Sequence, residues 1–263
     1  MATGNQLLAA EAVSRHFAFS PDGRTLASSS GTAKLWDART GKELATCESD
    51  GYGPIVFSPD GKTLVAGGGS AKKTKPEELR GKIRLVDPGT GKITKEIAAH
   101  SMSMYGLAYS PDGKTLASGS KEIKIWEMAT WKEQITLKAE TKGYYHSLVF
   151  SPDGRTLAAG NTKDRVIILW DMATGKQRAS LTVPTPETCR VLFSPDGKTL
   201  VAGNGPGGMR FWDVATTKEI KPKMPPTRHV KAIALSPDGK TLAIGDGLRE
   251  QSRIALWELK AGK

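Results

Sequence analysis

The chain has 263 residues, with an apolar fraction of 38% and 29 glycines, and can bury a core if short strands and turns share it. It has no run of about 18 apolar residues and no basic-then-apolar start, so neither a membrane helix nor a signal peptide is expected. Two cysteines argue against a disulfide framework and for a reducing, cytoplasmic location, while a net charge of +11 admits nucleic acid or an acidic partner.

The tetrapeptide Ser-Pro-Asp-Gly recurs along the chain and divides it into units. It begins at Ser20, Ser58, Ser110, Ser151, Ser194 and Ser236. The successive spacings are 38, 52, 41, 43 and 42 residues. Repeats of about this length are typical of propellers and solenoids.

Each unit has the same order of predicted elements. A short apolar run such as HFAF precedes the tetrapeptide, and a second run such as TLASG follows it. A third run ends in Trp and an acid, as in KLWD, and a turn like ATGK leads into a fourth. Proline fits the second position of a type I turn and glycine accepts a positive φ, so these turns connect antiparallel strands. The sequence therefore predicts an all-β chain in which a four-stranded blade is repeated six times.

The combination of SPDG with LWD or FWD resembles the tryptophan–aspartate (WD) repeat family, in the form of bacterial-type repeats with SPDG turns. The resemblance covers nearly the whole chain. It implies a single domain, residues 1–263, folded as a six-bladed β-propeller. The resemblance is specific for fold and not for function, because this architecture serves many functions.

The resemblance also implies an inner set of hydrogen bonds, which this chain keeps only in part. His100 and Asp164 stand at the family's histidine and aspartate positions, but in different units. The family tryptophan is kept in five units, at Trp36, Trp126, Trp170, Trp212 and Trp257. Val86 replaces it in the second unit, so we expect the blades to be held mainly by apolar packing.

The two ends of the sequence predict that the ring is closed by an N-terminal strand. Residues 4–11 have the pattern of a fourth strand without a blade, and the last unit stops after its third strand. The resemblance implies that residues 4–11 pair with residues 253–259. The alternative is that the chain is a fragment of a longer repeat array.

The candidate binding surface is the irregular face, formed by the loops that lead into each first strand, because the face of the SPDG turns is nearly uniform. Aromatic and cationic residues recur in these loops, as they do at binding hot spots. The candidates are Arg15, His16, Tyr52, Tyr105, Tyr144, Tyr145, His146, Arg190, Arg228, His229 and Lys231. The alternative is that they fill the mouth of the channel and cap strand ends.

The second unit carries a long insertion, GGGSAKKTKPEELRGK, at residues 67–82. Its cations predict a polyanion-binding loop; they are Lys72, Lys73, Lys75 and Arg80. The alternative is a solvated loop with no role. Elsewhere one basic residue follows each SPDG, which spreads positive charge through the turns rather than gathering it in one patch.

No catalytic residue, metal site or cofactor is expected. The four histidines precede first strands in four different units, whereas a metal needs three or four ligands that converge at about 2 Å. No nucleophile adjoins a base, and no acid pair suited to glycoside hydrolysis is visible. The sequence favours a non-catalytic, monomeric scaffold that binds a protein or peptide. Nucleic-acid or polyanion binding through loop 67–82 and the mouth cations is the alternative.

Overall fold

The computed structural model describes most of the chain as short β-strands. The described residues are 16–29, 31–51, 53–69, 81–184, 190–203, 208–221, 230–236, 240–246 and 253–258. They form strands β1 to β23 and contain no helix. Within these ranges there is accordingly no helix with the length and apolar character that spanning a membrane requires.

The strands form six sheets, called blades 1 to 6, in chain order. Blade 1 contains β1 His16–Phe19, β2 Thr25–Ser29, β3 Gly31–Asp37 and β4 Glu43–Gly51. Blade 2 contains β5 Ile55–Phe57, β6 Leu64–Gly68, β7 Gly81–Val86 and β8 Ile93–His100. Blade 3 contains β9 Gly106–Tyr109, β10 Thr115–Gly119, β11 Ile123–Glu127 and β12 Lys132–Leu137.

The second half of the chain follows the same pattern. Blade 4 contains β13 Tyr145–Phe150, β14 Thr156–Asn161, β15 Val166–Asp171 and β16 Lys176–Thr182. Blade 5 contains β17 Arg190–Phe193, β18 Thr199–Gly203, β19 Met209–Asp213 and β20 Glu219–Ile220. Blade 6 contains β21 Val230–Leu235, β22 Thr241–Asp246 and β23 Arg253–Glu258.

Strands that follow each other in sequence are neighbours in every blade, with antiparallel pairing. Five blades have four strands, and blade 6 has three among the described residues. The predicted fold class, an all-β chain with six propeller blades, is confirmed. The predicted closing strand at residues 4–11 lies outside the described residues, so its pairing with residues 253–259 stays a prediction.

The SPDG turns have the geometry that their residues dictate. In blade 3 the Gly113 N–H donates to the Ser110 carbonyl at 2.9 Å, and Gly113 has a φ of 70°. Asp112 Oδ1 accepts the Ser110 hydroxyl at 2.6 Å and the Lys114 N–H at 3.0 Å. These two donors, the hydroxyl first, hold the pKa of Asp112 below its usual value. The turn is thus fixed by its own side chains, with strands β9 and β10 on either side.

The turn between third and fourth strands is also closed by an aspartate. In blade 4 Asp171 Oδ1 accepts the Thr174 N–H and hydroxyl, each at 2.8 Å. The next residue, Gly175, has a φ of 67°. Trp131 and Thr217 stand at the equivalent position of blades 3 and 5, with φ values of 58° and 59°. These two side chains are therefore held in a backbone conformation that favours glycine.

The chain divides into two compact units. Unit 1 is residues 1–120 with 127–130, and unit 2 is residues 121–126 with 131–263. In unit 1 an apolar cluster joins Ala27 and Leu35 of blade 1 to Ile55, Phe57 and Leu64 of blade 2. In unit 2 clusters of the same kind join blade 4 to blade 5 and blade 5 to blade 6. Within each unit, neighbouring blades thus pack through apolar side chains.

Two polar contacts of the predicted family pattern are formed among the described residues. His100 Nε2 lies 2.8 Å from Ser118 Oγ, and both residues are buried. In blade 1 the Trp36 indole N–H donates to Ser28 Oγ at 2.9 Å. These contacts tie third and fourth strands to second strands, so they add local order to the apolar interfaces.

Val86, which replaces the family tryptophan, is fully buried in the unit 1 cluster with Phe57 and Leu64. Val86→Trp should therefore lower the free energy of unfolding by about 1–3 kcal/mol, because the larger ring must displace packed neighbours. Urea unfolding measures the change, and Val86→Ile is the control, with a smaller cost. A more stable Val86→Trp variant would contradict the packing described.

At Thr217 a substitution should instead stabilise the protein, because glycine adopts the positive φ of this position more easily than threonine. Thr217→Gly should raise the free energy of unfolding by about 0.5–1 kcal/mol, since it removes a β-branched side chain from a left-handed conformation. Gly41 has a φ of 68° in the matching turn of blade 1, so Gly41→Thr should destabilise. If Thr217→Gly and Gly41→Thr are both as stable as the parent, the two turns adapt to the new residue without a cost in the free energy of unfolding.

Candidate functional site

The candidate residues that the structure describes lie at one end of their blades. They are His16, Tyr105, Tyr144, Tyr145, His146 and Arg190, with the backbone of Lys231. In blade 4 Tyr145 pairs with Asn161, next to the turn between second and third strands, while Phe150 pairs with Leu157 beside the SPDG turn. The loops before first strands and the turns between second and third strands therefore share one end of each blade.

The remaining candidates lie outside the described residues. They are Arg15, Tyr52, Arg228 and His229 of the irregular face and Lys72, Lys73, Lys75 and Arg80 of the insertion. Their proposed roles stay predictions.

Unit 2 brings together candidates from two blades. The Val191 N–H of β17 donates to Ser147 Oγ of β13 at 3.1 Å, which places the starts of the two strands side by side. Arg190 at the start of β17 is exposed and acts electrostatically on His146 of β13. Half-buried Tyr144 lies immediately before β13. We call Tyr144, His146 and Arg190 the β13–β17 cluster.

The surroundings of His146 favour the neutral form of its imidazole. Burial lowers its pKa from the usual value, and the positive charge of Arg190 lowers it further. An imidazole held neutral can donate and accept hydrogen bonds without repelling the guanidinium beside it. The cluster therefore offers one fixed cation, one neutral imidazole and one phenol.

Tyr145 is predicted from the sequence as a partner-binding residue, but in the structure it is a core residue. Its side chain is 0% exposed, and its hydroxyl lies 3.0 Å from Thr141 Oγ1. Burial raises the pKa of the phenol, opposed by the Thr141 hydrogen bond. Tyr145 therefore packs inside the protein rather than at its surface. Its replacement by alanine would therefore cost stability.

The loop before β13 is held by the turn between β14 and β15. Asp164 Oδ2 accepts the Lys142 N–H at 2.6 Å, and Asn161 Oδ1 accepts the N–H groups of Lys163 and Asp164 at 3.1 Å. A Cβ on Gly143 would lie 2.5 Å from Asn161 Oδ1, so this close approach requires glycine. Asp164 therefore positions the loop that carries Tyr144. Sequence reasoning identified Asp164 by its family position but did not find the roles of Asn161 and Gly143.

In unit 1 the candidates lie apart in sequence, in blades 1 and 3. His16 begins β1, where it pairs with Ser29, and its side chain is half-buried. The Tyr105 N–H donates to the Gly119 carbonyl at 2.8 Å, so this half-buried tyrosine extends the pairing of β9 with β10. Ser120 Oγ donates to the Ser103 carbonyl at 2.9 Å and anchors the same loop.

The two ends of insertion 67–82 are parts of strands. Gly67 and Gly68 belong to β6, Gly81 and Lys82 belong to β7, and residues 70–80 lie outside the described part. Lys82 Nζ lies 2.6 Å from Glu96 Oε1, and Arg84 Nε lies 2.8 Å from Glu96 Oε2. Arg84 is only 2% exposed, a buried cation that the sequence pattern did not reveal. The described cation of the insertion is therefore paired within its own blade.

Within the described ranges, no group of three or more His, Cys, Asp and Glu side chains could hold a metal ion. The aspartates of five SPDG turns serve their own turns: Asp22, Asp60, Asp112, Asp153 and Asp196. Hydrogen bonds from serine, then from backbone N–H groups, lower the pKa of each. These carboxylates are ionised at neutral pH. They are therefore suited to accept hydrogen bonds within the turns rather than to donate a proton in a reaction.

Comparison with protein families agrees with the repeat pattern. The family model described as "WD domain, G-beta repeat" matches residues 10–37, 91–127 and 131–171. The second and third matches each run from the fourth strand of one blade through the third strand of the next. The resemblance to WD repeats is thus confirmed in three regions. The chain has no match among the curated proteins.

The lowered pKa of His146 predicts a pH dependence of stability. A histidine in the unfolded chain has a pKa of about 6.5. Because the pKa of His146 is lower in the folded protein, the folded state binds fewer protons than the unfolded state just below this pH. Stability therefore falls as the pH falls through that region. His146→Gln should therefore lose less stability between about pH 7.5 and about pH 5.5 than the parent. Urea unfolding at both pH values measures this. Equal losses in the two proteins would contradict the assignment to His146.

Proposed function

We propose that this chain, a β-propeller carrying WD40 repeats, is a non-catalytic scaffold that binds a protein or peptide through the irregular ends of its blades. WD40 propellers generally act as interaction scaffolds. The observation that carries the proposal is the β13–β17 cluster, in which Arg190 of blade 5 lies close enough to His146 of blade 4 to act on it, and half-buried Tyr144 immediately precedes β13.

The frame around the cluster supports a binding role. The Lys142–Asp164 and Val191–Ser147 hydrogen bonds fix the loop before β13 and the start of β17. Binding residues held by a rigid frame lose little conformational entropy when a partner docks. Tyrosine and arginine are also the side chains most often found at hot spots.

The chemistry of the cluster indicates the kind of partner. Arg190 is exposed, and Lys142, Lys163 and Arg165 are exposed cations at the same end of blade 4. Asp164 is half-buried and already accepts a backbone N–H. An exposed arginine binds a carboxylate, and the ring of a half-buried tyrosine in the same loop region suits an apolar group. The favoured partner is therefore a peptide segment with an acidic side chain or a C-terminal carboxylate.

Polyanion binding is the second candidate, favoured by the net charge of +11 and by these exposed lysines and arginines. Basic residues after the SPDG tetrapeptides weaken this reading, since they are distributed one to a blade: Arg24, Lys62, Lys114, Arg155, Lys198 and Lys240. A nucleic acid would be held by many such contacts and would dissociate steeply with salt.

The test compares two variants of the cluster with one matched control. Partners captured by the parent chain are quantified against Tyr144→Ala, Arg190→Ala and Arg155→Ala. Arg155 is an exposed arginine at the SPDG end of the same blade. Its hydrogen bond to Asp153 comes from the backbone N–H, which the change to alanine keeps. We expect at least one cluster variant to weaken a partner by about 30-fold, or about 2 kcal/mol, while Arg155→Ala binds like the parent.

Two outcomes would contradict the proposal. If all three variants bind every captured partner like the parent, the binding site lies elsewhere on the molecule. If Arg155→Ala and Arg190→Ala weaken binding equally, and both elute from heparin at lower salt, dispersed charge and polyanion binding explain the result. Tyr145 is not a useful test residue, because its burial would mix stability with binding.

A further inference from the structure

Every SPDG turn contains an Asp–Gly bond, and such bonds can rearrange chemically. Asp–Gly is the dipeptide in which aspartate rearranges most easily, because glycine has no side chain to shield its nitrogen. The structure describes five of the six bonds, and the sixth, Asp238–Gly239, lies outside the described residues. The five are Asp22–Gly23, Asp60–Gly61, Asp112–Gly113, Asp153–Gly154 and Asp196–Gly197.

The rearrangement joins the glycine nitrogen to the side-chain carboxyl carbon of the aspartate. A C–N bond forms, the nitrogen loses its proton, and one carboxyl oxygen leaves as water, which gives a five-membered succinimide ring. Water then adds to one of the two ring carbonyls. One product is the original aspartate, and the other is isoaspartate, in which the backbone continues through the side-chain carbon. Water is the only other reactant, so the rate depends on how freely the two groups can meet.

In the folded turn the carboxyl group is held by two donors. In blade 5 Asp196 Oδ1 accepts the Ser194 hydroxyl at 2.5 Å and the Lys198 N–H at 3.0 Å. The other four turns have the same two bonds, at 2.6 Å from the hydroxyl and 3.0 Å from the N–H. The hydroxyl, and then the N–H, lower the pKa of Asp196. An ionised carboxylate gives up an oxygen less readily than a protonated one.

The glycine nitrogen is held by the same serine. The Gly197 N–H donates to the Ser194 carbonyl at 2.8 Å, and the four equivalent glycines make this bond at 2.8–2.9 Å. A Cβ built on Gly197 would lie 3.5 Å from Cδ of Pro152, so the SPDG turn of blade 4 packs beside this glycine. Serine therefore engages both reacting groups, one through its hydroxyl and one through its carbonyl.

We propose that these Asp–Gly bonds are sites of isoaspartate formation in the unfolded chain, and that the serine of each SPDG turn suppresses the reaction in the folded protein by holding both reacting groups. The serine thus has a chemical role in addition to its role in forming the turn. Isoaspartate lengthens the backbone by one carbon, so a modified turn cannot restore its original geometry, and unfolding becomes irreversible. This inference does not depend on the proposed peptide-binding function.

The experiment removes the hydroxyl from one turn of each unit and uses the other turns of the same molecule as internal controls. The variants are Ser110→Ala and Ser194→Ala, and Ser194→Thr is the matched control because threonine keeps the hydroxyl. Each protein is incubated at neutral pH, and the parent is also incubated in urea. Mass spectrometry with electron-transfer fragmentation measures isoaspartate at each turn, and far-UV circular dichroism checks that each variant is folded.

Isoaspartate should accumulate more slowly at the five described turns of the folded parent than in urea. In Ser110→Ala the rate should rise at Asp112 alone, and in Ser194→Ala at Asp196 alone. The expected rise is about tenfold, the factor that one hydrogen bond to a charged group contributes. Ser194→Thr should react like the parent.

Three results would overturn the proposal. Equal rates in the folded parent and in urea would show that the turn gives no protection. An alanine variant whose own turn reacts at the parent rate would show that the hydroxyl has no part in it. Isoaspartate that rises at all turns together would show that the serine acts only through the stability of the whole chain. If Ser110→Ala fails to fold, the Ser194 variants decide, because Ser194 is half-buried whereas Ser110 is buried.

Discussion

Apolar packing between consecutive blades is the interaction on which the rest of this structure depends. The first strands of blades 2 and 5 are covered by residues of the third strand of the preceding blade, so these blades have little interior of their own. Leu35 meets Phe57 at the interface of blades 1 and 2, and Leu169 meets Phe193 at the interface of blades 4 and 5. Small residues such as Ala27 and Ala158 let the sheets approach closely. The same rule explains Val86, whose smaller side chain is accommodated in a cluster that also holds Phe57 and Leu64.

This packing also explains why the two ends of a blade differ. The SPDG turn satisfies its own backbone groups through its serine and aspartate, so it repeats almost unchanged. The loops at the opposite end do not share one turn sequence, so each loop forms different hydrogen bonds. In blade 4 those partners are Asn161 and Asp164, which hold the loop carrying Tyr144. The hydrogen bond from Val191 to Ser147 then sets Arg190 beside His146. The side chains at this end thus differ from blade to blade, whereas the strands that carry them keep the same arrangement.

The strands and turns could be predicted from the sequence because their signals are local. Proline, aspartate and glycine at fixed positions determine a turn within four residues, and alternating apolar residues mark the strands. The candidate site was found only in outline. Tyr144 and Tyr145 are adjacent and chemically identical, yet Tyr144 is half-buried and Tyr145 is fully buried. Arg84 was missed because nothing in its own strand distinguishes a buried cation, paired with Glu96, from a solvated one.

By itself, the sequence determined the number of blades, the four-stranded order within them and the turn chemistry, since each depends on residues close together in the chain. Only the tertiary structure decided which apolar surfaces are covered. Phe57 is covered by residues of blade 1, and Phe193 is covered by residues of blade 4. A strand's alternation of side chains defines two faces and says nothing about what lies against either one. That depends on residues distant in sequence, and so does the meeting of His146 with Arg190.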